Sequence, residues 1–248
     1  MFAIYKKELR SYFINAVGYV FAGVFLASSA LILGITTILG NTYDTTQYFT
    51  MLVIAFIVLI PLLTMKLFAE EKKLRTEQLL LTSPVTITGM VLGKFLAAFT
   101  MFFGGMLISL INLVPLVQFA RAQRAGEDYL ISHVGPSMSK IIGSFIGIVL
   151  IGAVFISIGI FISSLTENQL AAAIITVAVI TGMIVLNLVN QYIDIYAIRF
   201  VIDWVSVISR YSNFNYGLLD FAAILYYVSL TFVFLMLTVR VYDKRRWG

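Results

Sequence analysis

Apolar residues come in six long blocks along this chain, near Val17–Leu39, Gln47–Met65, Val91–Phe119, Ile141–Leu165, Leu170–Asn190 and Phe221–Val239, with short polar stretches between them. A bilayer core about 30 Å thick is crossed by roughly 20 helical residues, and Val17–Leu39 alone supplies 23 without a charge. The pattern predicts an all-α integral membrane protein with six transmembrane helices, forming one domain over residues 1–248. Pro61 and Pro115 fall inside the second and third blocks, where each removes a backbone donor and is placed to kink its helix. The fourth block carries Gly143, Gly147, Gly152 and Gly159. The Gly143–Gly147 spacing suits close helix packing, which we expect within the chain in preference to dimerisation.

Between the blocks, three segments have patterns of their own. Residues 1–16 place Phe2, Tyr5, Leu9, Tyr12, Phe13 and Ala16 at helical spacing and Lys6, Lys7, Glu8, Arg10 and Ser11 on the other side, as an interfacial helix lying along a leaflet does. Residues 66–90 hold a dense mixed-charge loop, with Glu70, Glu71, Lys72, Lys73, Arg75, Thr76 and Glu77 followed by Leu79, Leu80, Leu81 and then Ser83 and Pro84. Ser83 is a helix cap by type, and Pro84 suits the first helical position leading into the third block. A leucine face calls for a protein partner or the membrane surface, and the mixed charge favours a docking role, since retaining a loop on one side takes only basic residues. Residues 192–220 are rich in aromatic and branched side chains yet interrupted by Asp194, Arg199, Asp203 and Arg210, too polar to cross.

Charge sets the expected orientation. Placing the amino terminus inside puts 12 of the 17 Lys and Arg on the cytoplasmic side and 5 on the other, while the 12 acidic residues divide evenly. Basic loops stay in the cytoplasm, so both termini are expected there, in the cell (inner) membrane, with the first apolar block retained as a span. Arg121 and Arg124 in the outer loop 120–140 run against that rule. The net charge of +5 therefore describes topology and contact with anionic headgroups, not nucleic acid, since no basic stripe is interleaved with aromatics. With 60% hydrophobic and 12% charged residues, against about 25% charged in ordinary globular chains, no room remains for a soluble catalytic domain. Cysteine is absent, which removes disulfides and thiolate chemistry.

Chemistry of its own is not expected. The stretch GMVLGK from Gly89 to Lys94 has three residues between glycines where a nucleotide loop has four, and Phe95 where Ser or Thr would meet magnesium. The single histidine, His133, has only Glu127 and Asp128 near it in the chain and is read as a solvated loop residue. The apolar blocks hold almost no ionisable group apart from Lys94 near one end, which argues against coupling to protons or sodium. Asn112, Asn187, Asn190 and Gln169 are the polar positions open to lining a pathway, although bonding between helices is the commoner role.

Four stretches together resemble the permease subunits of the type 2 ABC exporter family, most closely the branch of the gliding-motility-associated permease: IYKKELRSYFINAVGYVF from Ile4, AEEKKLRTEQLLLTSPVTITGMVLGKFLAA from Ala69, IGIFISSLTENQLAAAI from Ile158, and WVSVISRYSNFNYGLLDFAAILYYVSL from Trp204. The second is the most specific, and the four span nearly the whole chain. The resemblance implies an interfacial helix and a first cytoplasmic loop docking on a separate ATP-binding subunit, with the loop acting as a coupling helix. Carried over to this sequence, Glu70, Glu71, Thr76, Glu77, Leu79, Leu80, Ser83 and Pro84 occupy that motif. It further implies short outer-leaflet helices before the last span, pairing with a second permease subunit as homodimer or heterodimer, and room for outer-face accessory proteins. ATP and magnesium belong to the partner subunit, and no cofactor, metal or enzymatic activity is expected of this chain. A membrane anchor transmitting force without a transported substrate is the alternative, followed by a gradient-driven carrier or channel. On this reading the double change Glu70→Lys with Glu71→Lys leaves insertion intact and uncouples the ATPase, whereas charge reversal at Asp44 does little. Co-purification and ATPase assays read the first effect.

Overall fold

The computed structural model describes residues 1–40, 44–78, 85–118, 137–190, 192–193, 195, 199, 202 and 206–247. The described residues are helical and contain no strand. We number the principal helices α1 (Phe2–Ile14), α2 (Ala16–Leu33), α3 (Thr46–Thr64), α4 (Lys66–Lys73), α5 (Ile87–Ser109), α6 (Met138–Leu165), α7 (Gln169–Asn190), α8 (Tyr211–Asn215) and α9 (Phe221–Trp247). Six runs are long and apolar enough to cross a bilayer, Ala16–Thr37, Thr46–Lys73, Ile87–Gln118, Met138–Leu165, Gln169–Asn190 and Phe221–Arg246, the architecture of a multi-pass membrane protein. Each contains most of the block expected from the apolar pattern, and α3 continues after a one-residue break at Met65 into the charged α4.

Local sequence explains the irregular turns. The Pro115 ring crowds the carbonyl four residues back, at Ile111, and α5 tightens into a 3-10 turn over Leu110–Asn112 at that point. Asn15 is extended (φ −84°, ψ 149°) and turns α1 sharply into α2. That corner presses Gly18 onto the Tyr12 carbonyl, leaving no space for a Cβ. The third span starts at Ile87 with Thr86 as its cap, the Thr86 hydroxyl accepting from the Gly89 N–H at 3.2 Å. Ser83 and Pro84, expected to begin that helix, lie outside the described residues.

The hub of the bundle is α6, which touches α3, α4, α5, α7, α8 and α9. Of its most apolar stretch, 67% is buried, against 22% for α7 and 28% for α2 and for α9, which turn most of their surface outward. Glycines give three of these neighbours, α8, α5 and α3, a notch each. A Cβ on Gly147 would lie 2.8 Å from Phe214 of α8, one on Gly152 would enter the Phe102 ring of α5, and one on Gly159 would enter the Thr64 side chain of α3. The Gly143–Gly147 pair is filled from within the chain, by α8 and Gly217.

Six crossings return both ends of the chain to the same end of the bundle, where α1, α4, the first turns of α5, the end of α6 and the end of α9 meet. At the opposite end α8 is tied to two helices, the Ser144 hydroxyl donating to Asn215 Oδ1 at 3.1 Å and Asn215 Nδ2 donating to Thr50 Oγ1 at 3.1 Å. Asp220 caps α9 there, accepting from the N–H groups of Ala222 and Ala223. Asp44 accepts from the Thr46 N–H and hydroxyl and lies 3.6 Å from Lys140, an exposed pair of the kind that contributes about 1 kcal/mol or less.

Overpacking of a notch costs about 1–3 kcal/mol, so Gly152→Val is expected to lower the thermal midpoint of the detergent-solubilised protein clearly. Gly23→Val, at a position with nothing within 4 Å of a new Cβ, is expected to leave it unchanged. Parallel thermal-shift curves check both.

Candidate functional site

The charged end of the bundle is assembled around one side chain. Lys94 stands on the second turn of α5, and its side chain is only 1% exposed. Lys94 Nζ donates to Glu8 Oε1 of α1 at 3.1 Å and to the Leu67 carbonyl, and it forms an ion pair with Glu71 Oε1 of α4 at 2.8 Å. The Phe68 ring lies 4.9 Å below it. Lys7 approaches the same carboxylates from the outside, 3.5 Å from Glu8 and 3.3 Å from Glu71, so two acids meet two bases. Partial burial depresses the Lys7 pKa, and the Glu8 and Glu71 carboxylates more than offset this and raise it above the ordinary lysine value.

Other contacts fix α1 at this position. The Tyr12 hydroxyl donates to the Leu63 carbonyl at 2.7 Å, just before the break between α3 and α4. Burial pushes the pKa of this phenol well above its usual value, so it is held as a neutral donor. Lys66 lies with its ammonium 4.7 Å from the Tyr12 ring. Gly93 presents a smooth surface to Ile4, whose Cβ is 3.3 Å from where a Gly93 Cβ would stand.

Both ends of α4 are held by α6. The first turn of a helix leaves N–H groups without intrahelical partners, and here the buried Ser163 hydroxyl accepts from the Phe68 and Ala69 N–H groups, each at 3.2 Å, while donating to the Met65 carbonyl at 3.1 Å. At the other end, Arg75 N–H bonds to the Lys72 carbonyl and Thr76 N–H to the Glu71 carbonyl, the paired closure of a Schellman turn. That closure places Arg75 at φ 56°, a left-handed conformation usually given to glycine. The final carbonyls of α6 lack helical partners as well. Ser164 carbonyl accepts from Lys72 Nζ and from Arg245 Nη2 of α9, and Arg245 Nη1 meets Glu77 at 3.1 Å. Two cations thus sit at the negative end of the helix dipole.

Most of the residues expected to form a docking loop are present at this end, but their roles divide. Glu71 and Thr76 are turned into the fold, Glu77 and Lys72 tie α4 to α9 and α6, and Glu70 is half-buried on the same short helix. Lys73, Leu74, Arg75 and Gln78 form the exposed tip, with Leu74 63% exposed. Leu79, Leu80, Ser83 and Pro84 lie outside the described residues, as do His133, Glu127, Asp128, Arg121 and Arg124. Of the first-helix residues, Lys6 and Arg10 face outward as expected, whereas Glu8 is directed inward to Lys94. Its position between Ile4 and Tyr12, each four residues away on the buried stripe, is the signal the sequence offers, together with a lysine inside an apolar block that requires a carboxylate.

Two of the polar span positions make tertiary side-chain bonds. Asn112 Nδ2 donates to Ser29 Oγ at 2.8 Å, and Asn187 Oδ1 accepts from the Ser206 hydroxyl at 3.2 Å. Asn190 is buried one turn beyond Asn187 at the end of α7, away from the α2–α5 seam that holds Asn112. Searches among known proteins return no matching family model and no similar curated protein.

Removing one partner of a buried pair strands the others, at about 3–5 kcal/mol. Lys94→Met is therefore expected to destabilise the protein strongly, and adding Glu8→Gln with Glu71→Gln to restore much of the loss. Thermal unfolding of the single and triple variants in detergent measures the difference.

Proposed function

We propose that the chain is the membrane permease subunit of an ATP-driven, type 2 ABC exporter-like complex, with both termini in the cytoplasm and the charged end facing a separate ATP-binding subunit. The observation that supports it best is the construction of that end. A short helix is held at both of its ends by the hub helix of the bundle, and is ion-paired to α1 and α5, with only its tip left outside. A rigid helix with one exposed tip is suited to receive a push and deliver it to the membrane helices. On this reading α4 is the coupling helix, α1 the interfacial helix, and α8 part of the short outer-leaflet elements before the last span. A second permease subunit completes the pathway, and ATP and magnesium are bound by the partner.

The energy for such a cycle comes from a difference in affinity between states, because a ligand shifts an equilibrium only by that difference. Nucleotide closing the ATPase pair moves the tip at Lys73 to Arg75. Ser163 and Ser164 carry the movement to α6, and Glu71 carries it to Lys94 of α5. A gradient-driven carrier is the second reading, drawing on the buried Glu8 and the partly buried Glu71. Substrate movement in vesicles under a proton gradient, without any ATPase present, selects it.

The structure changes which substitutions discriminate. Reversing Glu71 breaks the Lys94 cluster and tests folding, so the tip is the better target. Leu74→Asp with Arg75→Glu is expected to leave the thermal midpoint within about 0.5 kcal/mol equivalent, as surface changes do, and to lower recovery of the ATP-binding subunit by about tenfold or more, the loss expected of a central contact. Affinity purification in mild detergent with an ATPase assay reads it. Full recovery and full activity with the altered tip contradict the proposal.

A further inference from the structure

The outward side of α1 has an order that its role in the bundle does not explain. Turning about 100° per residue, the exposed arc passes from Phe2 and Phe13 through Lys6 and Arg10 to Ala3 and Ile14. Phe2, Phe13 and Ile14 are 74%, 55% and 68% exposed, a large apolar area for a helix that belongs to none of the six spans. The only carboxylate of α1, Glu8, is spent inward on Lys94. The arc is therefore wholly cationic, and neither Lys6 nor Arg10 forms an ion pair with a described residue. Both line an open groove of about 570 Å³ together with Lys7, Ser11 and Asn15.

We propose that this face of α1 is a binding site for the headgroups of anionic phospholipids. Phe2 and Phe13 enter the acyl boundary, and Lys6 and Arg10, four residues apart on one face, extend to the phosphate level above them. The groove between the basic side chains receives the headgroup. The aromatic edge decides for a membrane over an acidic protein surface: Phe13 and Ile14 lead directly into α2, whose first turns expose Tyr19 and Val20 on a transmembrane span, so the apolar margin of α1 adjoins lipid-facing surface. The inner face of the helix is fixed by Glu8, Tyr12 and the Gly93 contact. The cations are thereby presented in one orientation before any lipid arrives, and less freedom is lost on binding. The inference stands on this geometry and not on the ATPase reading.

Native mass spectrometry of the full chain in uncharged detergent, offered phosphatidylglycerol and phosphatidylcholine in equal amounts, tests it. Each basic side chain at an anionic surface is worth roughly fivefold in affinity. The wild type is expected to retain phosphatidylglycerol preferentially, with the preference falling as salt rises. Lys6→Gln with Arg10→Gln is expected to reduce it by about tenfold or more at an unchanged thermal midpoint. Lys244→Gln with Arg246→Gln, which removes the same charge from exposed positions of α9, is expected to leave it intact. No preference in the wild type overturns the proposal, as does an equal loss in both variants, which assigns the effect to diffuse charge. A first variant that keeps the lipid preference but no longer recovers an ATP-binding subunit assigns the face to a protein partner and overturns it too.

Discussion

A lysine ammonium is not tolerated in the apolar wall of a span unless carboxylates reach it, and Lys94 draws its two from helices outside its own span. Glu8 comes from α1 and Glu71 from α4, and the ammonium also donates to the Leu67 carbonyl. Desolvating these charges costs several kcal/mol per ion, and their attraction repays it only with good geometry. The net gain in stability is accordingly small, while the cost of an arrangement that leaves any member unpaired is large. We attribute to the cluster a specifying role: it permits one position of α1 against α5 and one position of α4 against both.

From that constraint the rest of the charged end follows. With α4 held against α5, its first N–H groups fall on Ser163 and its last turn on the carbonyl end of α6, where Lys72 and Arg245 gather. The hub helix also holds α8, α5 and α3 closely, in notches at Gly147, Gly152 and Gly159. A displacement at the tip of α4 therefore has two packed routes inward, through α6 and through α5. The fixed roll of α1 has its own consequence outside, since it leaves Phe2, Phe13, Lys6 and Arg10 exposed on one side.

The spans are plain in the sequence because an uncharged apolar run of about 20 residues matches the thickness of a bilayer and is seldom found in a chain folded in water. The described helices follow those runs closely. The small-residue pair Gly143–Gly147 follows an equally local rule. Pairing over distance is not legible in the same way. Glu8 and Lys94 are 86 residues apart, and nothing local distinguishes a basic residue that retains a loop from one buried in a cluster. Glu71 is expected to face outward for the same reason: a mixed-charge segment has the same composition whether its acids face a partner or a lysine within the chain. The side of α1 buried in protein, Ile4, Glu8 and Tyr12, lies about a quarter turn from the apolar side read from spacing, because Phe2 and Phe13 are apolar without being buried in protein. In a membrane protein apolar character points toward lipid as readily as toward a core.

The most direct test of the Lys94 cluster is amide hydrogen exchange across α1 in the solubilised protein, wild type beside Lys94→Met. If the cluster fixes α1, amides from Ile4 to Tyr12 exchange slowly in the wild type and lose that protection in the variant, while amides from Ile151 to Ile160 of α6 stay protected in both. Rapid exchange over α1 in the wild type, or protection there that is indifferent to Lys94, contradicts the account.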